Sequence, residues 1–434
     1  MSELAPIFVC HGCSAVVDIA RDLPFACPNA GRRKDDVDHV LVPELMFDKT
    51  TEVKDFDPFI RYRNFISSYR LSRFLGLPDN FWSDIVNELE RRLLKVDGRS
   101  FRITSLSQQT SLGAALASNL RIWVKDETEN VAGSHKGRHL MGVMLYLRVL
   151  EAAPHPNAQF LRKRHLAIAS CGNAALAGAV IARAAEWPIE AFIPVDANLV
   201  VVKRLKELGA TINVCERRAG ETGDPCIRAF RESVRNGAIP FSVQGSENGL
   251  AVEGARTLAF EMADGFRNMG ETPDSLYIQV GGGALASALA QGLEIARRIG
   301  LISKVPKLIL VQTNSCAPIA RAWKLVSNVD LRDAARHRSN FMWPWRDTKP
   351  SAASGILDDE TYDWWEAIKG VRDSAGEIVV VDEKTILQAF ELARSHTTIR
   401  ASATGTAGLA GLLASGARGE SAAVIFSGSD QNAT

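Results

Sequence analysis

Lys136 closes the segment Gly133-Ser134-His135-Lys136, between a run that reads as a strand and the first turn of a helix. A lysine amine in a buried cleft loses solvation and its pKa falls, which frees the amine for Schiff-base chemistry with a carbonyl carbon. Three other segments carry matching chemistry. Ser170-Cys171-Gly172-Asn173 precedes a helix, so its amides and side chains can grip a carboxylate while Asn173 offers a hydrogen bond to a ring hydroxyl. Gly281-Gly282-Gly283-Ala284-Leu285 follows a strand and opens a helix, where glycines allow close backbone approach and the dipole favours a phosphate. Ser427-Gly428 ends the last strand, and its hydroxyl can meet a heteroaromatic nitrogen as a neutral partner. Singly, each segment has a plain alternative: a solvated lysine, a helix cap by Ser170 or Asn173, a tight turn, a strand-end serine. Together they fall in order at the carboxyl ends of expected strands, where open α/β sheets bind ligands.

The elements that position them are legible from about residue 120 onward, where short β-branched runs alternate with helical patterns, the signature of βαβ units and a mainly parallel sheet. Strands are expected at 121–125, 166–169, 191–195, 211–215, 241–244, 276–280, 308–312, 378–381 and 423–426. Helices are expected at 136–153, 174–186, 199–208, near 226–234 and at about 247–266. In the first of these, Leu140, Val143, Leu147 and Leu150 recur at helical spacing. Residues 339–360 form a long connection with little periodicity, a kind of segment that often carries function.

The ordered set of motifs resembles the fold-type II pyridoxal-phosphate enzymes, the group of threonine synthase, serine and threonine dehydratases, cysteine synthase and the tryptophan synthase β chain. The resemblance covers roughly residues 100 to 430. It implies an α/β fold of two doubly wound, mainly parallel sheet domains with an N-terminal cysteine-containing extension. The expected division is an extension over 1–100, a large cofactor domain from 101–145 and 245–434, and a small inserted domain over 146–244. It implies that Lys136 carries pyridoxal 5'-phosphate as a Schiff base, with His135 near the phosphate and Asn173 beside the ring hydroxyl. Gly281, Gly282, Gly283, Ala284 and Leu285 would hold the phosphate and Ser427 would meet the pyridine nitrogen. Ser170, Cys171, Gly172 and Asn173 would take the substrate carboxylate. Within the family, Val311-Gln312, Ala317-Pro318-Ile319, Val381-Asp382-Glu383 and Gly408-Leu409-Ala410-Gly411 look like threonine synthase, while His135 looks like tryptophan synthase β. Pro350 to Ile356 is similar to the loop that covers the cofactor in dehydratases. The chain departs from threonine synthases at His135 and Gly137-Arg138, and at Ser402-Ala403-Thr404-Gly405 where the family often has an acidic residue.

With 51 basic and 50 acidic residues among 434, the net charge of +1 supplies no global field for nucleic acid or an anionic membrane. No apolar run approaches the roughly 20 residues of a membrane span, and no secretory leader is read at the start, so a cytoplasmic protein without membrane or nucleic-acid partners is expected. Of seven cysteines, Cys10, Cys13 and Cys27 crowd into the first 27 residues. Cys10-x-x-Cys13 with Cys27-Pro-Asn looks like a truncated zinc ribbon. A structural zinc needs four ligands, and His39 could complete a Cys3His site, with an eroded, metal-free knuckle as the alternative.

The expected reaction is elimination or replacement at the β or γ carbon of a small amino acid, threonine synthase-like, by a lyase that the family implies to be a homodimer. A serine/threonine dehydratase-type ammonia-lyase giving a 2-oxo acid is the nearest alternative. The chain ends just after Ser427, which is expected to leave no room for the regulatory domain of allosteric threonine dehydratases. A catalytically inactive binding protein on the same fold is the alternative from another class. A nucleotide-dependent dehydrogenase is disfavoured because the triple glycine lacks Gly-x-Gly-x-x-Gly spacing.

Overall fold

A computed structural model describes residues 5–32, 35–44, 53–116, 120–170, 172–218, 220–221, 223–416 and 419–430. Cys171, expected in the substrate loop, lies outside the described residues. The chain forms two compact units: Met1–Ile103 with Asn130–Ala132 and Lys136–Thr257, and Thr104–Glu129 with Gly133–His135 and Leu258–Thr434.

Strands β1 (Ile7–Cys10), β2 (Val16–Asp18) and β3 (Leu41–Glu44) make an antiparallel sheet in the order β2-β1-β3. β4 (Leu106–Gln108) and β5 (Arg121–Asp126) belong to a second sheet, described below. β6 (Leu166–Ala169), β7 (Ile189–Pro194), β8 (Thr211–Cys215) and β9 (Ile239–Pro240) form a parallel sheet in the order β8-β7-β6-β9. β10 (Ser275–Gln279), β11 (Lys307–Thr313), β12 (Glu377–Val381) and β13 (Ser421–Phe426) join β4 and β5 in a six-stranded sheet ordered β12-β11-β10-β13-β5-β4. All its pairings are parallel except β4 with β5.

In the first unit, the N-terminal sheet does not stand apart from the four-stranded one. Phe8, Ile19, Val86 and Leu89 share one buried cluster with Leu140, Tyr146, Ile168 and Val180, and the Phe25 ring meets Tyr146 edge-on at 6.2 Å. The chain passes from the first unit to the second between Ile103 and Thr104. The helix Lys136–Ala152 is buried nearly all round, including Arg138 and His139. Those two polar groups are tolerated because Arg138 donates to Thr257 Oγ1 at 3.0 Å and His139 Nδ1 sits 2.8 Å from the Ala251 carbonyl. Glycine fits at 137 because a methyl group there would press on the Phe101 ring at 3.1 Å and the Val131 carbonyl at 3.2 Å.

Two expected elements are corrected. Residues 241–244 are not a strand: one last backbone bond, Phe241 N to the Ala167 carbonyl at 2.8 Å, follows β9, and Ser242 and Gln244 then bond to one another across a bend. The helix expected from about 247 begins at Ala251, because Asn248 turns its side chain back, accepting from Leu250 N and donating to the Pro240 carbonyl.

In the second unit, β10 and β13 are the two central strands, buried along their whole length, as the runs Ser275–Gln279 and Ser421–Phe426 require of a sheet covered on both faces. Their carboxyl ends lead into the glycine loop and into Ser427.

Candidate functional site

In the second unit, the segment before Lys136 and the segment after β13 are held together by backbone. Ser134 pairs with Gly428 in an antiparallel bridge, and Ser429 N donates to the Gly133 carbonyl at 2.8 Å. The Ser427 carbonyl receives two donors from one residue: His135 N at 3.1 Å and His135 Nδ1 at 3.0 Å. A carbonyl only accepts, so the proton on this imidazole resides on Nδ1. Lys136 follows directly and is half-buried at the start of its helix.

The Ser427 hydroxyl is buried and lies 2.6 Å from Gln279 Nε2, at the end of β10. The same nitrogen donates to the Gly405 carbonyl at 2.8 Å and the Ile425 carbonyl at 3.2 Å. Sequence reasoning passed over Gln279, and its amide at the carboxyl end of a buried strand was the available signal.

After β10 the chain enters Gly281–Gly283. Gly283 has φ +93°, a left-handed conformation that favours glycine, and it opens the helix Ala284–Arg298 with no side-chain cap. The first N–H groups of this helix thus have no side-chain acceptor, and they carry the positive end of the dipole. A methyl group at Gly281 would lie 2.2 Å from Asp358 Oδ2 and 2.9 Å from Ile356 Cα; one at Gly283 would lie 2.8 Å from Thr361 Cγ2. The irregular connection that ends near residue 360 therefore packs against the glycine loop, and only glycine leaves room for both. Ser134 Oγ and Thr361 Oγ1 are buried and have no hydrogen-bond partner among the described residues. Ser402 caps the helix Ala403–Ser415 through Gly405 N at 3.0 Å, and its own N–H donates to the Gly428 carbonyl.

In the first unit, Gly172 N donates to Ser170 Oγ at 3.3 Å. Asn173 begins the helix Asn173–Ala184, which also lacks a side-chain cap. The uncapped terminus can take a carboxylate.

The cysteine cluster also lies in the first unit. One ligand atom from each of Cys10, Cys13, Cys27 and His39 falls within 4.8 Å of the others. Cys10 Sγ is 3.5 Å from His39 Nδ1, and Cys13 Sγ is 3.5 Å from Cys27 Sγ. Tetrahedral zinc with Zn–S of about 2.3 Å sets S···S near 3.7 Å and S···N slightly less, so the four atoms fit that ion. The other His39 nitrogen faces Asp35 at 3.1 Å, as an outer carboxylate does for a metal-bound imidazole. Asn29 donates to Cys27 Sγ from its backbone and to Cys13 Sγ from its amide, each at 3.4 Å. Burial pushes the Cys10 thiol up to about 12. At Cys13 burial also raises the thiol, but hydrogen bonds led by Asn29 outweigh it and bring the thiol to about 7.

An α/β scaffold with a glycine-rich anion cradle, a lysine after a backbone-clamped strand end and a buried neutral hydroxyl defines an enzyme that holds a phosphorylated heteroaromatic cofactor. Residues 100–428 match the pyridoxal-phosphate dependent enzyme family, and the chain belongs to it. Bovine (Bos taurus) L-serine dehydratase/L-threonine deaminase is 32% identical over 129 residues, which is 30% of this chain and 37% of that protein. Threonine synthase of Synechocystis sp. is 24% identical over 341 residues, covering 76% of this chain and 78% of that one. Maize serine racemase superposes with a TM-score of 0.57 at 18% identity, covering 79% of this chain and 92% of its own, a likeness that shows the fold. No helix among the described residues is long and apolar enough to cross a membrane. The uncapped glycine-loop helix, the orphaned Ser134 and Thr361 hydroxyls and the buried Ser427 fit pyridoxal phosphate: an anion for the helix, polar edges for the hydroxyls, a ring nitrogen for the serine.

Proposed function

We propose that the protein is a pyridoxal-phosphate dependent lyase that catalyses elimination or replacement at the β or γ carbon of a small amino acid, threonine synthase-like in its chemistry. The observation that carries this reading is the buried Ser427 hydroxyl at the end of β13, a neutral partner for the ring nitrogen. Pyridoxal phosphate, when bound, supplies an electron sink for charge developing at the substrate α carbon. Lys136 would hold the cofactor through its amine, and the same amine, when free, would take and return the proton at the substrate α carbon. Gly281 to Leu285 would hold the phosphate at the helix terminus and Asn173 would take the ring hydroxyl, while His135, assigned near the phosphate, has Nδ1 committed to the Ser427 carbonyl. Ser170 to Asn173 orient the substrate carboxylate. A serine at the ring nitrogen does not force protonation as a carboxylate would, which suits loss of a leaving group better than amino transfer.

The cysteine cluster is assigned a structural zinc held by Cys10, Cys13, Cys27 and His39, supported by the four-atom geometry and the Asp35 carboxylate behind His39. The family resemblance adds a cytoplasmic homodimer.

An ammonia-lyase giving a 2-oxo acid is the second reading, favoured by the 32% identity to the bovine dehydratase segment. Phosphate release measured against oxo-acid release, with phosphohomoserine, serine and threonine offered to the purified holoprotein, separates the two. Phosphate from phosphohomoserine is the expected product, and oxo acid from serine or threonine without it overturns the first reading in favour of the second.

A further inference from the structure

We infer that Gln279 is a positioning residue that fixes the direction of the Ser427 hydroxyl proton and thereby keeps the bound cofactor's ring nitrogen unprotonated. The inference rests on the proposed meeting of Ser427 and that nitrogen, and adds to it a residue and a consequence.

The geometry leaves one orientation for the Gln279 amide. Its nitrogen lies against two carbonyl oxygens, Gly405 O and Ile425 O, at 2.8 and 3.2 Å. Turning the amide over would bring Oε1 onto both, two acceptors against an acceptor, whereas a nitrogen there donates. In the observed orientation Oε1 is buried without a hydrogen-bond partner among the described residues, and glycine at 408 keeps the space beside it open, since a methyl group there would lie 3.0 Å from Oε1. The nitrogen also lies 2.6 Å from Ser427 Oγ: one N–H goes to the Gly405 carbonyl and the other is shared between Ser427 Oγ and the more distant Ile425 carbonyl, so the serine oxygen accepts and its own proton points away from Gln279.

That proton is the unspent group of the cluster. Ser427 is buried, its backbone N–H donates to the Gly405 carbonyl, and its carbonyl receives His135, yet no acceptor among the described residues receives its hydroxyl proton. A buried donor without an acceptor is unfavourable, so the cluster is completed by an atom that only accepts. A neutral pyridine nitrogen is such an atom. A pyridinium N–H is a donor: it would compete for an oxygen already engaged by Gln279 and leave the serine proton stranded. With the ring nitrogen neutral, the ring draws electrons from the substrate α carbon less strongly. Carbanionic species then have shorter lives, and departure of a leaving group outruns reprotonation at the cofactor carbon, the route to abortive amino transfer.

The test is 15N NMR of the holoprotein loaded with pyridoxal phosphate labelled at the ring nitrogen, read in wild type, Gln279→Met, Ser427→Ala and Ser427→Asp. Wild type is expected in the neutral-pyridine range and S427D in the pyridinium range. In Q279M the serine oxygen loses its donor, the hydroxyl is free to turn, and the oxygen can offer a lone pair to the ring. The signal should therefore move from the wild-type position toward that of S427D, and abortive amino transfer should rise relative to elimination. A structural role alone would lower stability without moving the 15N signal. A pyridinium signal in wild type overturns the inference with no variant needed, which covers the case of a misfolded Q279M. A Q279M signal at the wild-type position, with S427A and S427D displaced, overturns the role of Gln279 alone. If all three variants coincide with wild type, the placement of Ser427 at the ring nitrogen is itself wrong.

Discussion

The cluster around Ser427 and the cluster around Cys13 both join residues remote in sequence, but they are finished in opposite ways. At Ser427 the peptide backbone does most of the holding: the Ser134–Gly428 bridge, the Ser427 carbonyl under His135, and the Gly405 and Ile425 carbonyls under Gln279. One hydroxyl proton is left without an acceptor among the described residues. At Cys13 the side chains face mainly one another, with sulfur–sulfur and sulfur–nitrogen separations of 3.5 Å that make weak hydrogen bonds. A site held by backbone can lose its ligand and keep its shape, whereas a site of facing thiols needs an ion to hold them.

The largest effect expected from breaking this contrast is chemical. Lys136→Ala should lower turnover by at least about 10³-fold while leaving the thermal unfolding of the cofactor-free protein near that of wild type, checked by steady-state assay and calorimetry. Cys13→Ser should do the reverse: zinc content measured by atomic emission should fall from about one ion per chain to near none, with a lower Tm and a retained cofactor spectrum.

Next in size are substitutions in the buried polar groups of each unit. Lys125 and Glu261 form a fully buried pair at 2.6 Å, with Lys125 also donating to the Thr104 carbonyl. Lys125→Met should remove the ammonium that faces the buried Glu261 carboxylate at 2.6 Å and cost about 3–5 kcal/mol in urea unfolding.

The smallest expected effect is a pH slope in the first unit. Burial, then the neighbouring charge of Asp57, pushes the Glu90 carboxyl from 4.5 up to about 9, and burial raises Asp57 to about 7. The folded state keeps the Glu90 proton while the unfolded chain releases it near pH 4.5. Its contribution is therefore complete below that pH and is lost as pH rises toward about 9. Glu90→Gln keeps an acceptor for Phe101 N and should flatten the fall in Tm across this window.

What was legible in the sequence follows the range of the interactions involved. The glycine loop and the segment before Lys136 announce themselves locally, because glycine and helix-opening positions have few uses. His39 was found because tetrahedral zinc demands a fourth ligand, and the β1–β3 register, with Cys10 opposite Leu41, brings it there. Gln279 was invisible for a different reason. Its role depends on the parallel register of β10 with β13, in which Tyr277 lies opposite Val424, so that the end of one strand reaches Ser427 across 148 residues of chain. Nothing in a window around Gln279 encodes that pairing. Residues 241–244 misled because Phe241 and Val243 alternate as a strand would, while Ser242 and Gln244 bond to one another and bend the chain away after Phe241.

The most direct test of the central claim is reduction of the purified holoprotein with borohydride, followed by peptide mapping of the phosphopyridoxyl label. The account predicts one labelled peptide, modified at Lys136. A label at another lysine, or a protein that takes up none when supplied with pyridoxal phosphate, would contradict it.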